Sequence, residues 1–319
     1  MPAAGLPLET IRVAGLKGKG GTTLLKNLGM LGTGLSDAFG VLKRHNPQVA
    51  FGVGGYAAGP MMLATWLRRI PNVIFEPNAE PGLTNKLLAH FAQKIATGYP
   101  VSAKAWGARA VVTGCPVRQE FFAIPSRKPE KPIRLLVTGG SQGALPINRT
   151  FIQAAELLAK RKTELQIVHQ TGERDYNDVR AAYARQQMQV EVAPFLSNMP
   201  ERFAWADMIV CRAGAITAAE VAAAGRAAIF IPFGKATDSH QLRNAKEMSS
   251  AGAGRLIAEP DLNAERLTKE IFSLLDQPGE IESLSTKARS LAHPNAVRDI
   301  VDLIEQAERR TSREEQRGT

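Results

Sequence analysis

Three features of the sequence predict an α/β fold built on parallel sheets. Short runs rich in Val, Ile, Leu and Phe alternate with longer segments of helical pattern. Several runs, such as LLV at 135–137 and AAIFI at 227–231, are continuously apolar, as strands are when helices cover both faces of a sheet. Glycine-rich turns follow two of the runs, and strand, glycine turn and helix in succession form the unit of a doubly wound sheet.

Strands are expected at Thr10–Val13, Val49–Val53, Asn72–Phe75, Lys94–Thr97 and Ala110–Thr113. A second group is expected at Ile133–Thr138, Leu165–His169, Gln189–Val192, Met208–Cys211, Ala227–Ile231 and Gly254–Ile257. Helices fill most gaps. Between the groups lies IPSRKPEKP, 124–132, whose prolines and basic residues are linker chemistry. Two units are therefore expected, 1–117 and 118–294. A polar amphipathic helix at 295–310 is expected to pack back on the first, and 311–319 reads as a disordered tail.

The chain has 319 residues, and about 150 residues per domain gives the same two units. Apolar residues make up 44% and charged residues 22%, a globular balance. The two cysteines, Cys115 and Cys211, exclude a disulfide framework and fit a reducing compartment. No run of about 20 apolar residues exists to span a bilayer, and the first residues lack the apolar core of a signal peptide. Lys and Arg total 40 against 30 Asp and Glu, a net charge of +10. That excess is either a solvated basic surface or a sign of an anionic partner, such as an acidic membrane or a phosphorylated substrate. With aromatics at 6% and no RNP, zinc-finger or helix-turn-helix signature, nucleic acid is not expected.

The chemistry concentrates in glycine turns. GVGGY (Gly52–Tyr56) and TGGSQGA (Thr138–Ala144) each follow a strand. Bare backbone N–H groups at a helix start there form an anion site suited to phosphate, unless the turn is only a tight connection. Neither is a dinucleotide fingerprint, because GGSQGA does not fit G-x-G-x-x-G and no acidic residue ends the next strand. A G-x-x-x-x-G-K-[ST] loop is absent, which excludes a P-loop. No Asp-x-Asp pair is present to hold a metal. The third constellation is CRAGAITAAEVAAAG (Cys211–Gly225). Thr217 and Glu220 have capping-box spacing; equally, Glu220 can accept from the two vicinal hydroxyls of a ribose. The histidines His45, His90, His169, His240 and His293 show no metal-ligand spacing. His169, at a strand end, either bonds to backbone or belongs to a site.

Together these runs resemble one family. AGLKGKG (Ala14–Gly20), GVGGYAAGP (Gly52–Pro60), EPNAEPGLTNK (Glu76–Lys86), TGCPVR (Thr113–Arg118), VTGGSQGA (Val137–Ala144), HQTG (His169–Gly172) and CRAGAITAAEVAAAG occur in the order seen in the MurG family of bacterial peptidoglycan glycosyltransferases. The resemblance runs from Leu8 to Glu308. It implies a GT-B fold, two Rossmann-like domains facing across a cleft, working without metal or cofactor. It implies transfer of N-acetylglucosamine from UDP-GlcNAc to the C4 hydroxyl of lipid I, giving lipid II with inversion at the anomeric carbon. The implied location is the cytoplasmic face of the inner membrane, peripherally bound.

By the same resemblance, Arg118 and the Phe195, Leu196 and Met199 stretch form a uracil pocket. Ser141, Gln142 and Gly143 contact the diphosphate, and Ala215, Ile216 and Thr217 start a helix beside it. Glu220 clamps the ribose, Asn78, His240 and Gln241 lie near the donor sugar, and Gly54, Gly55 and Tyr56 form an acceptor-side loop. Lys17, Lys19 and Lys26, with Leu25 and Met30, are expected to dock on an anionic membrane surface. Leu24, Leu28, Leu31 and Leu35 are spaced for the buried face of the same helix. Cys115 stands in place of the family's usual Asn, Pro77 of Gln, Phe75 of His, and His240 of the first Gln. The family's first strand and its G-G-T-G-G-H loop, which carries the candidate general base, are not found in this sequence. A truncated first domain with weak or absent transfer is therefore expected. The alternative reading is a catalytically weak or inactive UDP-sugar-binding protein at the membrane.

Overall fold

The computed structural model describes the backbone of residues 5, 7–13, 21–55, 57–234 and 239–317 and, within these, the side chains of all but 21–31, 239 and 310–317. Contacts divide the chain into two units. The first comprises Met1–Pro77, Pro81–Thr113 and Val297–Thr319; the second comprises Asn78–Glu80 and Gly114–Ala296.

In the first unit, α1 (Gly21–His45) is followed by β1 (Ala50–Gly52), α2 (Ala58–Leu67), β2 (Asn72–Glu76), α3 (Leu83–Leu88), β3 (Lys94–Thr97), α4 (Pro100–Lys104) and β4 (Ala110–Val112). The strands pair in parallel in the order β1-β2-β3-β4, with Ile74 opposite Ile95 and Ala96 opposite Val111. The sequence of β2, NVIFE, is buried throughout. Met62, Ile74, Leu88 and Ile95 share one core, and Ala38, Leu42 and Ala64 pack α1 against α2.

Thr10–Val13 was expected to be a strand and is not one. The Arg12 amide donates to the Asp37 carboxylate of α1 at 3.0 Å, and its guanidinium at 2.8 and 2.7 Å. A four-residue β pattern is a weak signal, and this non-local ion pair lays the segment along α1 instead. Gly34 makes the approach possible, since a Cβ there would stand 2.5 Å from the Arg12 carbonyl oxygen.

The second unit contains α5 (Gln119–Phe122), β5 (Ile133–Thr138), α6 (Leu145–Ala159), β6 (Leu165–Gln170), α7 (Tyr176–Arg185), β7 (Val190–Ala193) and α8 (Met199–Trp205). It continues with β8 (Met208–Cys211), α9 (Ala215–Ala224), β9 (Ala227–Phe230), α10 (Ser239–Ser250), β10 (Arg255–Leu256), α11 (Ala264–Asp276) and α12 (Pro278–Ser290). The parallel sheet has the order β10-β9-β8-β5-β6-β7. Read from the β7 edge, this is the Rossmann winding. Leu135 and Val137 join a core with Phe151 and Leu274, while Leu136 joins the opposite core with Phe203 and Val221. Two covered faces explain why LLV carries no polar residue.

α13 (Ala296–Arg317) ends the chain's regular structure. It buries Ala296, Ile300, Leu303 and Ala307, one face of an amphipathic helix. Residues 311–319, expected to be disordered, carry this helix as far as Arg317. No helix among the described residues is long and apolar enough to cross a membrane.

Candidate functional site

In the second sheet the winding reverses between β5 and β8, and sheets of this kind bind ligands at the carboxyl ends of their strands at that point. Thr138 pairs with Cys211, so TGGSQGA and CRAGA leave the sheet side by side. Backbone packing shapes the first turn. Gly140 and Gly143 have φ of +88° and +72°, and the Gly143 amide donates to the Gly140 carbonyl at 2.9 Å. A Cβ on Gly143 would overlap the Thr171 carbonyl, and one on Gly172 would overlap that of Gln142. The glycines of GGSQGA and HQTG thus let two loops touch through bare backbone. Ser141 and Gln142 are exposed at the tip. Gln170 ties this loop to the next segment: its Nε2 donates to the Gly140 carbonyl at 2.8 Å and its Oε1 accepts from the Leu196 amide at 3.0 Å. Leu196 is buried in the core that Met199 also touches, and Phe195 is exposed.

The second turn opens α9. Gly214 is its N-cap, with no side chain capping it. Ala218 makes the first intrahelical bond, to the Gly214 carbonyl at 2.9 Å. The amides of Ala215, Ile216 and Thr217 are therefore helix-start donors with no intrahelical acceptor. This corrects the capping-box reading, because Thr217 lies inside the first turn and Glu220 beyond it. Glu220 is half-buried. Burial pushes its carboxyl above the ordinary glutamate range, against the opposing pull of Arg118. Arg118 is exposed, its guanidinium carbon 5.3 Å from the centroid of the Phe121 ring. Burial, then the Glu220 charge, also raises the Cys211 thiol.

Neither expectation for His169 holds, since it bonds to side chains in the core. It is fully buried, with Nδ1 3.1 Å from the Tyr183 hydroxyl and Nε2 3.1 Å from Asn148 Oδ1. Asn148 Nδ2 donates to the Thr171 carbonyl at 2.8 Å and to Asp175 at 2.7 Å. Its Oδ1 is thereby the acceptor, which assigns the proton to His169 Nε2. Burial lowers the His169 pKa from 6.5 to about 3. Between those values the unfolded chain binds a proton that the folded chain refuses, so stability falls as pH falls through that window. The expected loss between about pH 7 and about pH 5 is ~2 kcal/mol. Urea unfolding at both pH values should show it in the wild type and not in His169→Gln. Equal losses in both would place the acid sensitivity elsewhere.

His240 and Gln241 lie at the start of α10. His240 Nδ1 is 2.8 Å from the Glu80 carbonyl and so donates to it. Gln241 Oε1 accepts from the Phe233 amide at 3.0 Å. Asn78 Oδ1 accepts from Asn244 Nδ2 at 3.2 Å. Asn244 was not singled out by sequence. Fully buried, it also donates to the Ala213 carbonyl at 3.1 Å and accepts from the Ala79 amide at 2.9 Å. Its one signal was a position four residues after His240, on the same helix face. Arg212 was missed too. It is buried, donates to Glu259 and to the Ile231 carbonyl, and lies over the Phe233 ring.

In the first unit, Gly54 and Gly55 follow β1 with φ of +82° and +81°. A Cβ on Gly54 would stand 3.1 Å from Asn85 Oδ1. Asn85 Nδ2 donates to the Phe75 carbonyl at 3.0 Å and to Glu76 at 2.9 Å, and the Gly82 amide donates to the same carboxylate at 2.9 Å. Tyr56, Lys17 and Lys19 lie outside the described residues, as do the side chains of Leu24, Leu25, Lys26, Leu28, Met30 and Leu31. Leu35 packs against the Ala38, Leu42 and Ala64 core. Among the described residues, no group of His, Cys, Asp or Glu is arranged to hold a metal.

Family models define the class first. The glycosyltransferase family 28 C-terminal domain matches residues 134–304, and the glycosyltransferase family 28 N-terminal domain matches residues 1–97. A UDP-N-acetylglucosamine--N-acetylmuramyl-(pentapeptide) pyrophosphoryl-undecaprenol N-acetylglucosamine transferase from Anaeromyxobacter sp. (strain K) is 41% identical over 97% of this chain and 82% of its own length. The protein of the same name from Geotalea uraniireducens (strain Rf4) is 41% identical over 95% of this chain and 84% of its own. The crystal structure of MurG from Acinetobacter baumannii superposes with a TM-score of 0.79 at 30% identity, over 96% of this chain and 86% of that one. The chain belongs to the MurG family, within the two-domain α/β glycosyltransferases of GT-B type.

Proposed function

We infer that this chain transfers N-acetylglucosamine from UDP-GlcNAc to the C4 hydroxyl of lipid I, a polyprenyl-diphosphate-linked muramyl peptide, forming lipid II for peptidoglycan synthesis. The family supports the reaction. The observation that carries the donor is Glu220, a half-buried carboxylate near Arg118, on a helix whose start is uncapped and adjoins a glycine loop. Glu220 accepts from both ribose hydroxyls. Arg118, Phe195, Leu196 and Met199 hold the uracil. Amides of the Ser141, Gln142 and Gly143 loop and of Ala215, Ile216 and Thr217 bind the diphosphate. Asn78, His240 and Gln241 orient the donor sugar, and the loop of Gly54, Gly55 and Tyr56 serves the acceptor. As the acceptor C4 oxygen attacks the anomeric carbon and its hydroxyl proton passes to a general base, the bond to UDP breaks on the opposite face, UDP departs and the configuration inverts. Negative charge grows on the departing phosphate oxygen, where the helix start and loop amides stabilise it.

The polyprenyl chain keeps the acceptor in the bilayer, so the enzyme docks peripherally on the anionic cytoplasmic leaflet of the inner membrane. The net charge of +10 supports this. So does the end of α2, where Trp66 and Leu67 are exposed beside Arg68 and Arg69, with Arg68 over the Phe39 ring of α1. Lys17, Lys19, Leu25, Lys26 and Met30 are the docking residues that the sequence proposes. Incubating the purified chain with UDP-GlcNAc and a lipid I analogue tests this: disaccharide product supports the transferase reading over the weak or absent transfer expected from the sequence. UDP binding without product would leave only the UDP-sugar-binding reading. Co-sedimentation with anionic vesicles should weaken as salt rises. If Lys17, Lys19 and Lys26 all become Glu and binding is unchanged at low salt, that segment is not the docking surface.

A further inference from the structure

Two arginines in the second unit, Arg226 buried and Arg289 half-buried, make every hydrogen bond to backbone carbonyls. Arg226, 3% exposed, donates from Nε to Phe203 at 2.9 Å, from Nη1 to Pro125 at 3.2 Å, and from Nη2 to Ala204 at 3.2 Å and Pro125 at 3.3 Å. Its Nη1 also reaches Ala224 and Gly225. Arg289 donates from Nη1 to Ala223 at 2.5 Å and Phe122 at 3.2 Å, and from Nη2 to Ile124 at 2.6 Å and Ala224 at 2.9 Å. Gly225, in the left-handed region at φ +54°, leaves room for Arg289, whose Nε would stand 2.5 Å from a Cβ there. Burial and the Arg289 charge bring the Arg226 pKa down to about 10.

Placing a second like charge beside a buried one is costly, and capping the last carbonyls of α9 does not require two arginines. The acceptors that distinguish this arrangement are Phe122, Ile124 and Pro125, at the end of α5 and just beyond it. One turn earlier stands Arg118, on the Phe121 ring. Phe121 is fully buried and meets Phe203 edge-on at 5.1 Å. Arg118 is near enough for its charge to act on Glu220, on the helix whose far end the arginines grip. We propose that Arg226 and Arg289 are positioning residues for the donor site: together they clamp Phe122–Pro125 to the C-terminal end of α9 and so fix the position of Arg118 relative to that helix. The proposal rests on the reading of Arg118 as a donor-binding residue.

A double-mutant cycle on the full chain tests it, with UDP as the probe in calorimetry. Arg118→Ala should weaken UDP about 10- to 100-fold. Arg289→Lys, which keeps the charge but cannot span the same carbonyls, should weaken it about 3- to 10-fold. If the clamp acts through Arg118, Arg289→Lys should have no further effect in the Arg118→Ala background. The KM for UDP-GlcNAc should rise while that for a lipid I analogue stays constant. Arg226→Lys carries the same cycle should Arg289→Lys fail to fold. Equal weakening in both backgrounds, or none from either Lys variant while Arg118→Ala weakens UDP, would overturn the clamp alone. Unchanged UDP affinity in Arg118→Ala would sink the donor reading of that residue, and the clamp with it.

Discussion

Replacing Glu220 with Ala is expected to weaken UDP binding about 10- to 150-fold, the equivalent of one charged hydrogen bond at roughly 1.5–3 kcal/mol. The fold should not suffer. Ala is the strongest helix former, and Glu220 does not cap α9. The substitution also removes a half-buried carboxylate, whose charged form burial disfavours. Loss of affinity with an unchanged or raised unfolding temperature is therefore the signature of a ligand-binding residue. The wild type should also lose UDP affinity as pH falls through the carboxyl's folded pKa. Because burial raises that pKa, the loss begins above the ordinary glutamate range, and Glu220→Ala should show no such step. Calorimetry across pH measures both effects. Equal UDP affinity in the two proteins would leave Glu220 without a role in the donor site.

Gly143→Ala should damage the same site through the backbone. Its φ of +72° disfavours any Cβ, which alone costs roughly 1–2 kcal/mol. The Cβ would also overlap the Thr171 carbonyl. That carbonyl cannot easily retreat, because Asn148 Nδ2 holds it at 2.8 Å and His169 in turn anchors Asn148. The loop must move instead, and a shift of about 1 Å can cost 10²-fold in function. Gly140→Ala is the control. Its φ is +88°, but nothing lies within 4 Å of the added Cβ, so only the backbone strain of about 1 kcal/mol remains. Urea unfolding should show a loss of roughly 3 kcal/mol or more for Gly143→Ala against about 1 for Gly140→Ala. UDP affinity should fall more than about tenfold only in the first. Equal stability losses would mean that the contact with Thr171 is not what requires glycine.

The expected strand Ile133–Thr138 was legible to the residue because every side chain after Arg134 is buried against one helical layer or the other. Met208–Cys211 was legible for the same reason. Thr10–Val13 was misread because its partner, Asp37, is 25 residues away and is a carboxylate rather than a strand. The glycines of TGGSQGA could be seen as a phosphate-type turn. That Gly143 is bare to admit Thr171 could not, since the contact joins two loops from different strands. Asn244, Gln170, Arg226 and Arg289 escaped for a related reason. A single polar residue in a helix or strand pattern looks the same whether it faces water or closes a buried network.

The sequence alone determined the fold class, ten of the strands and the family, because apolar periodicity and ordered motifs are local properties carried along the chain itself. It also brought Glu220 to attention, but left a helix cap and a ribose ligand equally open. Only the tertiary structure decided that Gly214 begins α9 and that Arg118 stands near Glu220. It likewise decided that His169 is a neutral core residue and not a site histidine. The physical reason is that protonation, capping and desolvation depend on which groups meet across the fold, and those meetings join residues far apart in the chain.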